Sequence, residues 1–381
     1  MKKKSLFLAA LAALTMATSC SQDEQQSVNK GHAISFNAAL DVTRGLDVTT
    51  GTLDDFWVNA ANEKDMDVVH FRNLQFTKLS KKDVNKWVSA SPKYWPDYKV
   101  KFHAYAPEAT KNGFTVDKGR INAFTVKEKV GDQVDLIAGF VSGSKQTCEK
   151  DGVTGLELSH ALSKIVFKAK GKNDQYRCEI HGIGIGNVHN KGNYDIERNE
   201  WTISQNSNVN YYHKLDKPIV IDEADGVAEL TPDGGFKLIP QEITPWKKKH
   251  GIHQKLKEAF LYMYVVLTKN EDKTTAFRGF AYIPMPDTSW EVNKEYTYTI
   301  DLSKGWGFKG GIKQPDNPDA TGPDAPNPDK PAVPDKEGGE KPDIPVVVTG
   351  KPIEFVNVSV KDWEKTNKGV TGETTTVASK K

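Results

Sequence analysis

An alternation of apolar and polar residues begins at Ile34 and never gives way to sustained helical spacing, and it limits what this chain can become. In ISFNAALDV, Ile34, Phe36, Ala38, Leu40 and Val42 fall on one face, and Ser35, Asn37, Ala39 and Asp41 fall on the other. That period of two is what a half-buried strand requires. Strand composition recurs at 55–59, 71–77, 100–106, 134–140 and 165–169, then at 178–185, 235–239, 261–267, 275–282 and 295–300. Gly, Asn and Asp turns separate these runs. A short helix is compatible with the residues around His160, and 251–259 carries a faint helical pattern. No helical period persists beyond about ten residues, far short of what an α/β fold needs. The chain is therefore read as all-β, with two β-sandwich-like domains over 21–172 and 173–312, followed by a proline-rich linker over 313–345 and a C-terminal strand segment with a polar tail over 346–381. The division between the two domains falls at the polar stretch 170–174.

With 381 residues the chain can bury substantial cores, and its 52 basic and 50 acidic residues nearly cancel. The short run Lys247–Lys249 is the longest basic block after the N-terminus, which speaks against nucleic acid as a partner. Residues 1–20 read MKKKSLFLAALAALTMATSC: a basic n-region, an apolar core from Leu6 to Met16, then small residues leading into Cys20. That order resembles a bacterial lipoprotein signal, with Cys20 as the lipidated first residue of the mature chain, although Ala17 stands where such signals more often carry leucine. The alternative is an ordinary secretory peptide with an incidental cysteine. The polar SQDEQQ that follows suits a tether. Three cysteines are too few for a disulfide framework, and whether Cys148 and Cys178 pair is open at this stage.

Motifs that carry chemistry are scarce. Cys178 and His181 form half of a zinc site at best, with no second pair at ligand spacing, so no metal and no cofactor is expected. HGIGIGN at 181–187 lacks the G-x-G-x-x-G spacing and reads as a strand passing close to another backbone. No G-x-S-x-G elbow and no H-E-x-x-H occurs, and nothing argues for an enzyme. Tyr94, Trp95, Tyr211 and Tyr212 could stack on sugars if exposed, or fill sandwich cores and edges instead.

The C-terminal region poses a separate problem. Nine prolines lie between Pro315 and Pro345, and such a segment sets a distance without building a core. Beyond it, Val346, Val347, Val348 and then Ile353, Phe355, Val356, Val358 and Val360 are too apolar and β-branched for a tail with nothing to pack against. Ile353 and Phe355 share one face while Val356, Val358 and Val360 share the other, so the phase slips at 355/356 and implies a bulge or a bend.

Five stretches carry a resemblance: ISFNAALDVTRG near the start, KYWPDYKVKFHAYAP at 93–107, DQVDLIAGF at 132–140, LELSHALSKIVFKAK at 156–170 and AFRGFAYIPMPDTSWEVNKEYTYTIDL at 276–302. In their order and spacing, and with the terminal IEFVNVSVKDW, they resemble the fimbrillin family of Bacteroidales. The long proline-rich insertion is where the chain departs from that pattern. The resemblance implies two transthyretin-like Greek-key sandwiches per subunit, export to the outer membrane as a lipoprotein, and assembly into pili at the cell surface. It also implies cleavage by a trypsin-like protease after an arginine matching Arg44, ahead of Gly45, releasing the lipid together with the strand Ile34–Val42. A C-terminal strand of the next subunit, here drawn from Ile353, Phe355, Val356, Val358 and Val360, would then fill the groove. The residues fit independently, since the cleanest amphipathic strand stops just before Thr43-Arg44-Gly45, and a glycine makes that bond accessible. The alternative for Arg44 is a loop arginine of an unprocessed lipoprotein. The expected partners are other pilus subunits, the processing protease, a lipid anchor and a host or bacterial surface ligand. A tip or accessory adhesin and a monomeric glycan-binding lipoprotein are the competing functions. Whether the tail inserts into a neighbour or folds back on its own chain is open at this stage.

Overall fold

The computed structural model describes residues 33–40, 52–80, 86–148, 153–222, 226–232, 234–247, 258–303 and 353–363. Cys20, Val42, Arg44, Gly45, the linker 313–345, Val346–Val348 and most of the faintly helical 251–259 lie outside the described residues. The first ten strands are β1 (Ser35–Ala39), β2 (Asp55–Asn62), β3 (Val69–Lys78), β4 (Lys86–Val88), β5 (Val100–Ala106), β6 (Thr115–Asp117), β7 (Arg120–Thr125), β8 (Ile137–Gly143), β9 (Val153–Glu157) and β10 (Ser159–His160). Next come β11 (Ser163–Lys170), β12 (Tyr176–His189), β13 (Lys191–Asp195), β14 (Glu200–Ile203), β15 (Asn208–Ile221), β16 (Val227–Glu229) and β17 (Phe236–Leu238). The last are β18 (Glu242–Pro245), β19 (Glu258–Lys269), β20 (Thr275–Pro284), β21 (Thr288–Ser289), β22 (Lys294–Asp301) and β23 (Glu354–Asp362). Among the described residues helical structure is confined to two 3-10 turns, Thr110–Asn112 and Val130–Asp132. The fold is all-β. The helix that His160 permitted is instead strand, because Ser159 and His160 pair with Ala138 and Ile137.

One eight-stranded sheet, in the order β10-β8-β5-β2-β3-β4-β1-β9, makes the first half. It curls until its two ends approach: a Cβ added at Gly139 of β8 would lie 2.1 Å from the carbonyl oxygen of Glu157 in β9. The enclosed core is aromatic, with Phe36, Phe56, Phe76, Trp87 and Phe102 all buried.

Two sheets face each other in the second half. One runs β16-β11-β22-β23 with β17 also on β11, and the other runs β15-β12-β19-β18-β21 with β20 also on β19. Ile165 and Phe167 of β11 and Tyr296, Tyr298 and Ile300 of β22 meet Ile180, Ile183 and Ile185 of β12 and Leu261, Met263 and Val265 of β19 between them. The β6–β7 hairpin leaves the first half and joins β13 and β14 in a four-stranded sheet.

The pairing of 163–170 decides which sheet that stretch joins. Reading the sequence placed 163–170 in the first domain, yet β11 is parallel to β22 and antiparallel to β16 and β17. Its inward residues Ile165, Phe167 and Ala169 belong to the second core. The polar residues after Lys170 form the turn between β11 and β12.

β19 is buried on both faces. Ala259, Leu261, Met263, Val265 and Leu267 face the sandwich core, while Phe260, Tyr262, Tyr264 and Val266 face the opposite side with Trp246, Phe280 and Tyr282. Such strands read as continuous apolar runs rather than alternating ones, as AFLYMYVVL does.

Candidate functional site

Two strands near the ends of the described residues make up the candidate site. β1 lies between β4 and β9, antiparallel to the first (Phe36 opposite Trp87) and parallel to the second (Ser35 to Ala39 opposite Val153 to Glu157). Ile34 donates its N–H to the carbonyl of Lys93 at 2.7 Å, and Leu158 donates to the carbonyl of Ala39 at 3.1 Å. Both sides of the strand are therefore engaged. Ile34, Phe36, Ala38 and Leu40 are all buried, and the Phe36 ring meets Phe76, Phe102 and Phe56 edge-on at 4.8, 5.3 and 6.0 Å. Burial of a large apolar side chain stabilises by about 1.5–3 kcal/mol, so Ile34, Phe36 and Leu40 together contribute several kcal/mol. Ser35 is also buried, unlike Asn37 and Ala39 on its face.

The second strand, β23, forms the edge of its sheet and pairs antiparallel with β22 of its own chain. Thr299 sits opposite Asn357 and Ile300 opposite Phe355, so the ladder skips Val356. This bulge absorbs the phase slip visible in the sequence. Ile353, Phe355, Val358 and Val360 all pack on the second core, while Val356 is 42% exposed. Val356 therefore does not share a face with Val358 and Val360, as simple alternation suggests, because the extra residue turns it outward. Lys294 binds Asp362 at 2.5 Å, and Lys361 binds Glu295 at 2.9 Å.

Trp363 closes the strand. Its N–H donates to the carbonyl of Asn293 at 2.9 Å. Its indole, 2% exposed, stacks on the imidazole of His160 at 4.0 Å with 8° between the planes. His160 Nδ1 lies 2.7 Å from Asp135 Oδ2, both side chains being almost wholly buried. The end of β23 is thereby anchored on residues of the first half. Sequence reading missed this anchor, since Trp363 lies more than 200 positions from both His160 and Asp135 and gives no local signal.

The remaining candidates part company. Cys178 is buried in the second core, where burial pushes its thiol pKa well up, and Cys148 is a separate free thiol 3.3 Å from Thr154 Oγ1. His181 turns to the opposite face from Cys178 and meets Tyr264 edge-on at 5.7 Å. No group of three or more metal-ligating side chains gathers among the described residues. Tyr211 is fully buried in the second core, Trp95 packs on Phe102 and Tyr212 lies against Tyr262. Tyr94, at 38% exposure, is the open one of those four aromatics.

An all-β chain of curled and facing sheets, with buried strands near each end, defines the class. The fimbrillin-like family matches residues 43–315, and the chain belongs to that family. A fimbrial protein from Bacteroides vulgatus is similar in fold, with a TM-score of 0.54 and 15% identity over 72% of this chain and 95% of that one. A candidate cell adhesion protein from Bacteroides ovatus aligns with a TM-score of 0.45 and 15% identity over 72% and 93% of the two chains. One from Bacteroides eggerthii aligns with a TM-score of 0.44 and 12% identity over 87% and 97%. No curated protein matches the chain.

Proposed function

We propose that this chain is a structural subunit of a cell-surface fimbria with a role in adhesion. It is exported as a lipoprotein through Cys20, primed by cleavage between Arg44 and Gly45, and polymerised by strand insertion. The observation that carries the reading is the setting of β1: a short, buried strand flanked on both sides, ending at Ala39 just five residues before Arg44. Cutting there would remove Ile34, Phe36, Ala38, Leu40 and Val42 together and leave a groove between β4 and β9 with unpaired backbone on both walls. Such a groove accepts an extended segment by β-strand addition. A head-to-tail contact of this kind does not close and gives filaments. The C-terminal strand 353–363 is the proposed donor, and to serve it must first leave β22.

The test is the N-terminus of the protein in fimbriae sheared from cells, read with the intact mass of the cell-associated precursor. A fimbrial N-terminus at Gly45 and a diacylated Cys20 in the precursor are expected. Fimbriae that retain residues 34–42 would overturn priming, and an unmodified precursor Cys20 would overturn lipidation.

The clamped cis position of β23 favours a second reading. A subunit that keeps residues 353–363 on its own β22 accepts a strand without donating that one, which suits a tip or accessory adhesin.

A further inference from the structure

The outer face of the β15–β12–β19–β20 sheet is paved with aromatic rings. Tyr212 stacks on Tyr262 at 5.7 Å and 15°, and Tyr262 on Tyr282 at 6.0 Å and 15°. Between these rings β12 contributes only glycines: a Cβ at Gly182, Gly184 or Gly186 would collide with Tyr212, Tyr262 or Phe260. Tyr262 lies across this trough and donates its hydroxyl to the carbonyl of Tyr211 at 3.0 Å. The result is a platform four strands wide whose rings come from β15, β19 and β20. Phe260, Tyr262, Tyr264 and Tyr282 are at most 2% exposed although they point away from the sandwich core. Two cations border the platform: Arg278, opposite Val266 in the β19–β20 ladder, and Lys214, opposite Gly182 in the β12–β15 ladder.

The chain leaves and returns at one end of this sheet. Ser303 accepts a hydrogen bond from Asn173 at 3.4 Å, and Asn270, just past β19, donates to the carbonyl of Asp174 at 2.9 Å. The described chain resumes at Ile353, beside the same point, since Glu354 pairs with Asp301. Between Pro315 and Pro345 the sequence has nine prolines, six Asp and two Glu against three Lys. An extended proline-rich chain advances about 3.1 Å per residue, so a small part of it spans the roughly 20 Å from Val266 to Phe260. Proline-rich segments dock on aromatic-lined surfaces because their conformation is already ordered before binding. Its excess of carboxylates complements Arg278 and Lys214.

We propose that this platform binds the acidic, proline-rich segment 315–345 of the same chain. Its prolines rest on Tyr212, Tyr262 and Tyr282, and its carboxylates meet Arg278 and Lys214. The assignment does not depend on polymerisation. Docking would shorten the reach of β23, and undocking would lengthen it.

Hydroxyl-radical footprinting of the full chain tests this, against a full chain whose residues 315–345 are replaced by Gly and Ser at equal length. Oxidation of Tyr262, Tyr264 and Tyr282 should rise about tenfold in the replaced chain, a change typical of losing buried contacts. Tyr194 and Tyr298, both within the core, should not change. A synthetic peptide of residues 313–347 should restore protection, and the pair Arg278→Ala and Lys214→Ala should weaken that peptide about tenfold, as loss of charge-assisted contacts does. A second measurement uses the unaltered protein: carbodiimide should join Lys214 to a carboxylate within 315–345. The proposal is overturned if the footprint is the same in both chains, if the peptide gives no protection at about 1 mM, the range of a tethered ligand, or if no such cross-link forms. Protection that falls on dilution of the intact chain assigns the platform to a second copy and overturns it equally.

Discussion

Gly184 shows how one missing side chain organises a face of this protein. A methyl there would sit 2.3 Å from the Tyr211 carbonyl oxygen and 2.5 Å from the Tyr262 ring. A backbone atom cannot swing aside as a side chain can, so Gly184→Ala should cost about 1–3 kcal/mol, the range for overpacking, read as a lower urea midpoint. Trp363 carries a different kind of weight. Trp363→Ala removes a fully buried ring and its stack on His160, a loss of about 3–5 kcal/mol for such truncations. Because β23 is an edge strand joined through a long linker, the loss should be local. Amide exchange should accelerate across 354–362 and at the β22 amides that face it, while β11 exchanges as before, and equal acceleration throughout the second half would contradict this.

The bulge in β23 decides which substitutions that strand tolerates. Val356→Asp places a charge on an already exposed residue and should change stability by no more than about 0.5 kcal/mol. Val358→Asp and Val360→Asp direct a carboxylate at the second core and should each cost several kcal/mol, on the order of burying an unpaired polar group. Thermal melts of the three variants separate these outcomes. The slip at 355/356 was legible in the sequence, because alternation fails there by one residue. Its consequence for Val356 was not, since a bulge can turn any of several residues outward. β1 was equally legible, as its buried face alternates cleanly up to Leu40. β15 was not: NVNYYHKLDKPIVI is polar and contains Pro218, which fits an edge strand with register shifts against β12. The sheet that β11 joins was not legible either, because a polar turn inside a sandwich resembles a linker, and only the parallel pairing of Lys164 with Glu295 and of the residues after them shows it.

At the scale of the molecule, β1 and β23 occupy different sheets, so the proposed release of one and donation of the other are separable. Mixing isolates them. One population would be cleaved at Arg44 and lack residues 353–381, and the other would keep that tail and remain uncleaved. Strand insertion between molecules predicts a stable heterodimer by size-exclusion chromatography, with cross-links from position 358 to the walls of the β4–β9 groove. If position 358 cross-links only to β22 of its own chain, residues 353–363 are a permanent part of the second sandwich and another segment must join subunits.

The double flanking of β1 bears on mechanical strength. A strand held between two ladders and pulled along its length loads every hydrogen bond on both sides at once, in shear. The single ladder of an edge strand such as β23 can be peeled open one bond at a time. A segment seated between β4 and β9 would therefore resist tension far better than one added to an outer edge, which suits a thread that must hold a cell in flowing liquid.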